Sequence, residues 1–201
     1  MSALTLILCI LASVLELDTT YAFQTLVSRP IIAGPIFGLI TGDVMAGVQV
    51  GIFAELLFSD ISPLGGIIPP SGVVVCVIPL ILYAMGIELY FGFFLGVISA
   101  VIYSFLDALL RKTRFTWIVF LEKGIEKRPA NIKRVIGMTL LASFLMTFIF
   151  LSVTAWLSSW FIFWVLPYIP PKIHLAFLLA YTAVPWIGMA SMLPAFRLKT
   201  R

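Results

Sequence analysis

The sequence is short of charge. Its 201 residues include 13 Lys and Arg and 9 Asp and Glu, 11% charged in all, against 62% hydrophobic. A soluble domain has about a quarter of its residues charged, so a water-soluble protein is excluded. Histidine is almost absent. His174 is the only one, directly after Pro-Pro-Lys in a predicted loop, and no Ser-His-Asp set can be assembled around it. The two cysteines, Cys9 and Cys76, lie inside apolar runs. There they read as small buried hydrophobes, which leaves neither a disulfide framework nor a metal cluster. The glycines have no strand before them, which excludes a dinucleotide or phosphate loop. No cofactor and no metal are therefore expected. Basic residues are missing ahead of the apolar run 2–15, where a secretory signal would carry them. That run reads as a retained membrane helix. At ~1.5 Å per residue it is short of the ~30 Å hydrocarbon core, so Asp18 to Ser28 is expected as a buried loop. No internal repeat and no linker appear, and residues 1–201 read as a single membrane domain.

What the sequence does have is long apolar segments. The segments 88–110, 135–166 and 173–194 exceed the ~20 residues that cross a bilayer, and 73–86 is a shorter apolar segment. The fold class expected is all-α, a polytopic integral membrane protein. Eight of the 13 basic residues lie between Arg111 and Arg134, and Arg197, Lys199 and Arg201 close the chain. This is the pattern of cytoplasmic segments, so 111–134 reads as a basic cytoplasmic loop. Its interleaved Phe115, Trp117, Phe120 and Ile125 suit a membrane surface or a docking protein. No basic face exists elsewhere, so nucleic acid is not an expected partner. Asp107 stands four residues before Arg111 and can pair with it on one helix face. Glu88 reads as interfacial. Trp156, Trp160 and Trp164 share one helix face and mark the far membrane surface.

The unusual chemistry is concentrated in 18–71. Gly34, Gly38 and Gly42 recur every four residues, as do Gly47 and Gly51. On helices such rows form flat ridges for close backbone packing. Pro30 can begin a helix, and the pattern predicts helices over 30–41 and 44–58 with a turn at Gly42-Asp43. The first, at ~1.5 Å per residue, is too short to span the membrane alone. A re-entrant helical hairpin in the N-terminal third is expected, with a Gly/Pro loop over 61–72 packed against it; the alternative is two tilted helices of one bundle, with Asp43 and Glu55 near the headgroups. Glu55 follows Gly51 on the packed face. A carboxylate in an apolar helix is costly and points to function. Asp18, Gln24 and Arg29 are further polar groups in the same stretch.

Asp18-Thr19-Thr20, Ala22-Phe23-Gln24, Ser28-Arg29-Pro30-Ile31, Ala33-Gly34-Pro35, Gly42-Asp43, Gly47, Gly51, Glu55-Leu56, Gly65-Gly66 and Pro69-Pro70 occur in a telling order. Over residues 15–71 the chain resembles the membrane subunit IIC of the mannose/fructose/sorbose family of the bacterial phosphotransferase system. It departs from that family at Ser71, where an aspartate usually follows the paired prolines. The resemblance implies a multi-pass subunit of the bacterial cytoplasmic (inner) membrane that binds a sugar and moves it inward. Phosphoryl transfer falls to partner proteins IIA and IIB, beside a second membrane subunit, IID, in an oligomeric complex. The IIC subunit itself is no enzyme. Asp18, Gln24, Arg29, Glu55 and Ser71 are then the candidate sugar-binding residues. Ser71 and a C-terminal half shorter than the family's raise a second expectation, a non-transporting scaffold or regulator derived from such a subunit.

Overall fold

The computed structural model describes residues 2–20, 25–59, 61, 68–125 and 132–197. The described residues form helices and no strand: α1 (Ala3–Thr20), α2 (Pro30–Thr41), α3 (Val44–Phe58), α4 (Gly72–Ala84), α5 (Leu89–Ile125), α6 (Ile132–Val165) and α7 (Pro171–Arg197). A 3-10 turn at Leu166–Tyr168 joins the last two. Three segments are long and apolar enough to cross a membrane: Leu89–Thr113, Ile136–Tyr168 and Pro171–Ser191. The all-helical, multi-pass reading stands.

The core is α4. Every residue from Val73 to Leu82 is buried, as expected of a helix that is apolar on all sides. α1, α2, α3, α5 and α6 all pack against it. Pro79 sits inside α4 and has no N–H, so the carbonyl of Val75 lacks its helical partner. Gly92 and Gly96 of α5 fill that dent. A Cβ at Gly96 would lie 2.9 Å from the Val75 oxygen and 2.8 Å from Pro79 Cδ.

α2 and α3 form the hairpin, with the bounds expected from the sequence. Pro30 opens α2 and Gly42 closes it in the left-handed conformation, φ 88°. Asp43 then caps α3 by accepting from the N–H of Ala46 at 3.0 Å. Its other oxygen accepts from Tyr83 Oη of α4 at 2.9 Å, which ties the turn to the core. The Gly ridges pack backbone on backbone. A Cβ on Gly38 would stand 2.9 Å from Gly47 Cα, and one on Gly51 would stand 2.5 Å from the Pro30 oxygen. Gly42 is not part of the ridge, because it faces open space and serves the turn.

Three other expectations change. α1 is helical through Thr20, so Asp18 lies on its last turn and not in a loop. The stretch 111–134 is not a loop throughout, since α5 continues through it to Ile125. Lys, Arg and Glu are good helix formers, and no proline occurs in that stretch before Pro129. His174 lies in the first turn of α7, where Nδ1 sits 3.3 Å from Tyr90 Oη. The Gly/Pro loop 61–72 falls largely outside the described residues.

Candidate functional site

The ends of α1, α2, α3 and α4 meet α5 around one cavity of about 740 Å³. Its wall takes Glu16 and Thr19 from α1, Arg29 and Pro30 at the start of α2, Glu55 and Phe58 from α3, and Ser71 at the start of α4. Tyr103, Asp107 and Arg111 of α5 complete it. The wall is mostly apolar, with a few convergent polar groups, the usual make-up of a small-molecule site.

Glu55 and Arg29 face each other across the hairpin. Arg29 Nη1 donates to Glu55 Oε1 at 3.0 Å. The second oxygen, Oε2, is buried and has no hydrogen-bond partner among the described residues. A buried acceptor without a donor costs ~1–3 kcal/mol, so a ligand donor placed there removes a penalty already present. Arg29 is 59% exposed on its side chain, and such a solvent-exposed ion pair contributes little to folding.

Asp18 is buried and does not line the cavity. Its Oδ1 accepts from the Thr25 N–H at 2.8 Å and the Thr25 hydroxyl at 2.9 Å. Its Oδ2 accepts from the Ser28 N–H and hydroxyl, both at 3.3 Å. Between these anchors Leu26 adopts φ 66°, a left-handed conformation that a leucine takes only when its surroundings impose it. Asp18 thereby shapes the loop that delivers Leu26, Ser28 and Arg29 to the wall. Gln24 lies outside the described residues.

Ser71 caps α4 by accepting from the Val74 N–H at 3.2 Å. Its hydroxyl donates to Glu16 Oε2 at 2.7 Å. Asp107 holds Arg111 through Nε at 2.8 Å and Nη2 at 2.7 Å, the pair expected from their spacing. The structure thus brings Glu55, Arg29 and Ser71 to one cavity and adds Glu16, Tyr103, Asp107 and Arg111. Glu16 carried a signal in the sequence, as an acid inside an apolar helix. Tyr103 carried none. The three tryptophans of α6 are exposed and take no part.

The sequence matches the family described as PTS system sorbose-specific IIC component over residues 3–199. The chain belongs to this family. That family is the mannose/fructose/sorbose group of phosphotransferase-system IIC components. A relative described as putative N-acetylgalactosamine permease IIC component 2, from Escherichia coli (strain K12), is 37% identical over 46 residues. That match spans 23% of this chain and 35% of the relative. A solved structure described as "Structure of membrane protein" shares the fold with a TM-score of 0.78 at 19% identity. The superposition covers 98% of this IIC chain and 85% of the other.

Proposed function

We propose that this IIC chain binds a neutral sugar in the cavity beside the glycine hairpin and moves it inward, coupled to its phosphorylation by partner subunits. The observation that carries the reading is Glu55, a cavity-wall residue whose Oε2 is buried without a donor among the described residues. A carboxylate accepts two hydroxyl hydrogen bonds side by side, and charge-assisted bonds are the stronger kind. Adjacent sugar hydroxyls fit that geometry. Arg29 steadies Glu55 and offers its remaining N–H groups as donors. Asp18 orders the loop that places Arg29. The hairpin helices, of 12 and 15 residues, are too short to span alone, and a re-entrant hairpin accounts for polar groups at membrane depth. The partners that fit are a IID membrane subunit and the IIA and IIB phosphocarriers, in the bacterial inner membrane. Phosphoryl transfer belongs to those carriers.

The test is uptake into vesicles holding the IIC chain and its IID partner, with IIA, IIB, the general carriers and phosphoenolpyruvate inside. Accumulation of sugar phosphate from externally added D-fructose, L-sorbose, D-mannose or N-acetyl-D-galactosamine is the expected result. It should be lost in Glu55→Gln. No accumulation of any sugar by wild type favours the non-transporting scaffold.

A further inference from the structure

We infer that Glu16 is a second sugar-binding carboxylate in this cavity, and that Ser71 acts on the sugar only through it. The inference rests on the sugar-binding reading above. Glu16 lies on α1 and is only 9% exposed, yet it forms part of the cavity wall. Ser71 reaches it across the chain, donating to Oε2 at 2.7 Å. A serine hydroxyl has one proton. Here the Ser71 oxygen already accepts from the Val74 N–H, and its proton is committed to Glu16. Ser71 therefore has no donor left for a ligand. A carboxylate has about four lone-pair sites, and Ser71 occupies one of them at Glu16. The other cavity acids are each clasped by an arginine, Glu55 by Arg29 and Asp107 by Arg111. Among the described residues Glu16 has no cation within ion-pair distance. Glu16 thus offers a donor-rich neutral ligand a second acceptor in the cavity, beside the unpartnered Oε2 of Glu55. Glu16 and Glu55 together would hold hydroxyls on two sides of one sugar ring. Ser71 is the positioning residue that sets the Glu16 carboxylate.

The test is sugar titration on the full chain, purified as the complex it forms in its native membrane. The probes are D-fructose, L-sorbose, D-mannose and N-acetyl-D-galactosamine, then the monodeoxy analogues of whichever binds most tightly. Glu16→Gln should weaken the parent sugar roughly 10- to 150-fold, the worth of a charge-assisted hydrogen bond. It should barely change affinity for the one analogue that lacks the contacted hydroxyl. Equal weakening across all analogues would mark Glu16 as merely structural and overturn the inference. Ser71→Asp keeps a capping side chain for α4 but sets a second carboxylate against Glu16, so it should also weaken binding. Added to Glu16→Gln, Ser71→Asp should cause no further loss, because Ser71 acts on the sugar only through Glu16. Wild-type affinity in Ser71→Asp alone, or a further loss when it is added to Glu16→Gln, overturns the positioning role. Wild type that binds with Glu16→Gln unchanged overturns this inference alone. Wild type that binds none of the probes overturns the sugar-binding reading with it.

Discussion

At Asp18 one side chain fixes the course of the loop that follows. Its two oxygens take four hydrogen bonds from Thr25 and Ser28, and Leu26 is held left-handed between them. Asp18→Asn keeps an acceptor for Thr25 but loses the second anionic acceptor for Ser28. We expect the variant to insert and fold, with the 25–29 segment cleaved faster by protease and Arg29 less well placed. Sugar affinity should fall less than in Glu55→Gln, because Asp18 does not reach the cavity. Titration and limited proteolysis of both variants check the order. A larger loss at Asp18 than at Glu55 would mean that Asp18 touches the sugar directly. Glu16 shows the limit of reading single residues from sequence. Its partner Ser71 is 55 positions away, and no local pattern joins the two. Asp107 and Arg111, one helical turn apart, were legible as a pair for the opposite reason.

The elements pack through glycine at several places, and only the hairpin was plain in the sequence. The regular spacing of Gly34, Gly38, Gly47 and Gly51 announced the hairpin, and Pro30 and Gly42-Asp43 fixed its ends by local backbone preference. Gly92 and Gly96 answer Pro79 of α4, while Gly188 of α7 lies against Leu56 of α3, where a Cβ would come within 2.7 Å of the Leu56 Cβ. These last contacts join distant segments and left no periodic trace. Gly51→Leu should abolish folded protein, since the added side chain meets the Pro30 backbone 2.5 Å away. Gly137→Leu should be nearly neutral, because nothing lies within 4 Å of a Cβ there. Gly188→Leu should resemble Gly51→Leu. Yield and monodispersity in detergent measure all three, and equal yields would contradict the close-packed hairpin. The basic stretch differs from expectation in conformation alone, since its Lys, Arg and Glu residues favour helix and α5 runs on through it to Ile125.

Across the whole molecule, hydropathy and charge set class and orientation. Composition alone separated this chain from soluble proteins, and long apolar runs gave the α5, α6 and α7 spans directly. α4 was harder to place, because 13 apolar residues fit either a short span or a buried core helix, and only its neighbours decide. The run of Arg and Lys from Arg111 onward predicts that the α5–α6 connection and the C-terminal tail share the cytoplasmic side. In intact cells Thr113→Cys and Thr200→Cys should react with an impermeant maleimide only after permeabilisation. Labelling of either from outside would reverse the orientation. The central claim is that the cavity below the hairpin holds a sugar by the carboxylate of Glu55. The most direct measurement is the equilibrium affinity for the bound sugar, wild type beside Glu55→Gln, on protein that is equally folded by size exclusion and thermal midpoint. The account predicts a loss of roughly 10- to 150-fold, since one acceptor in a charge-assisted hydrogen bond is worth ~1.5–3 kcal/mol. Affinity equal to wild type in Glu55→Gln would contradict it.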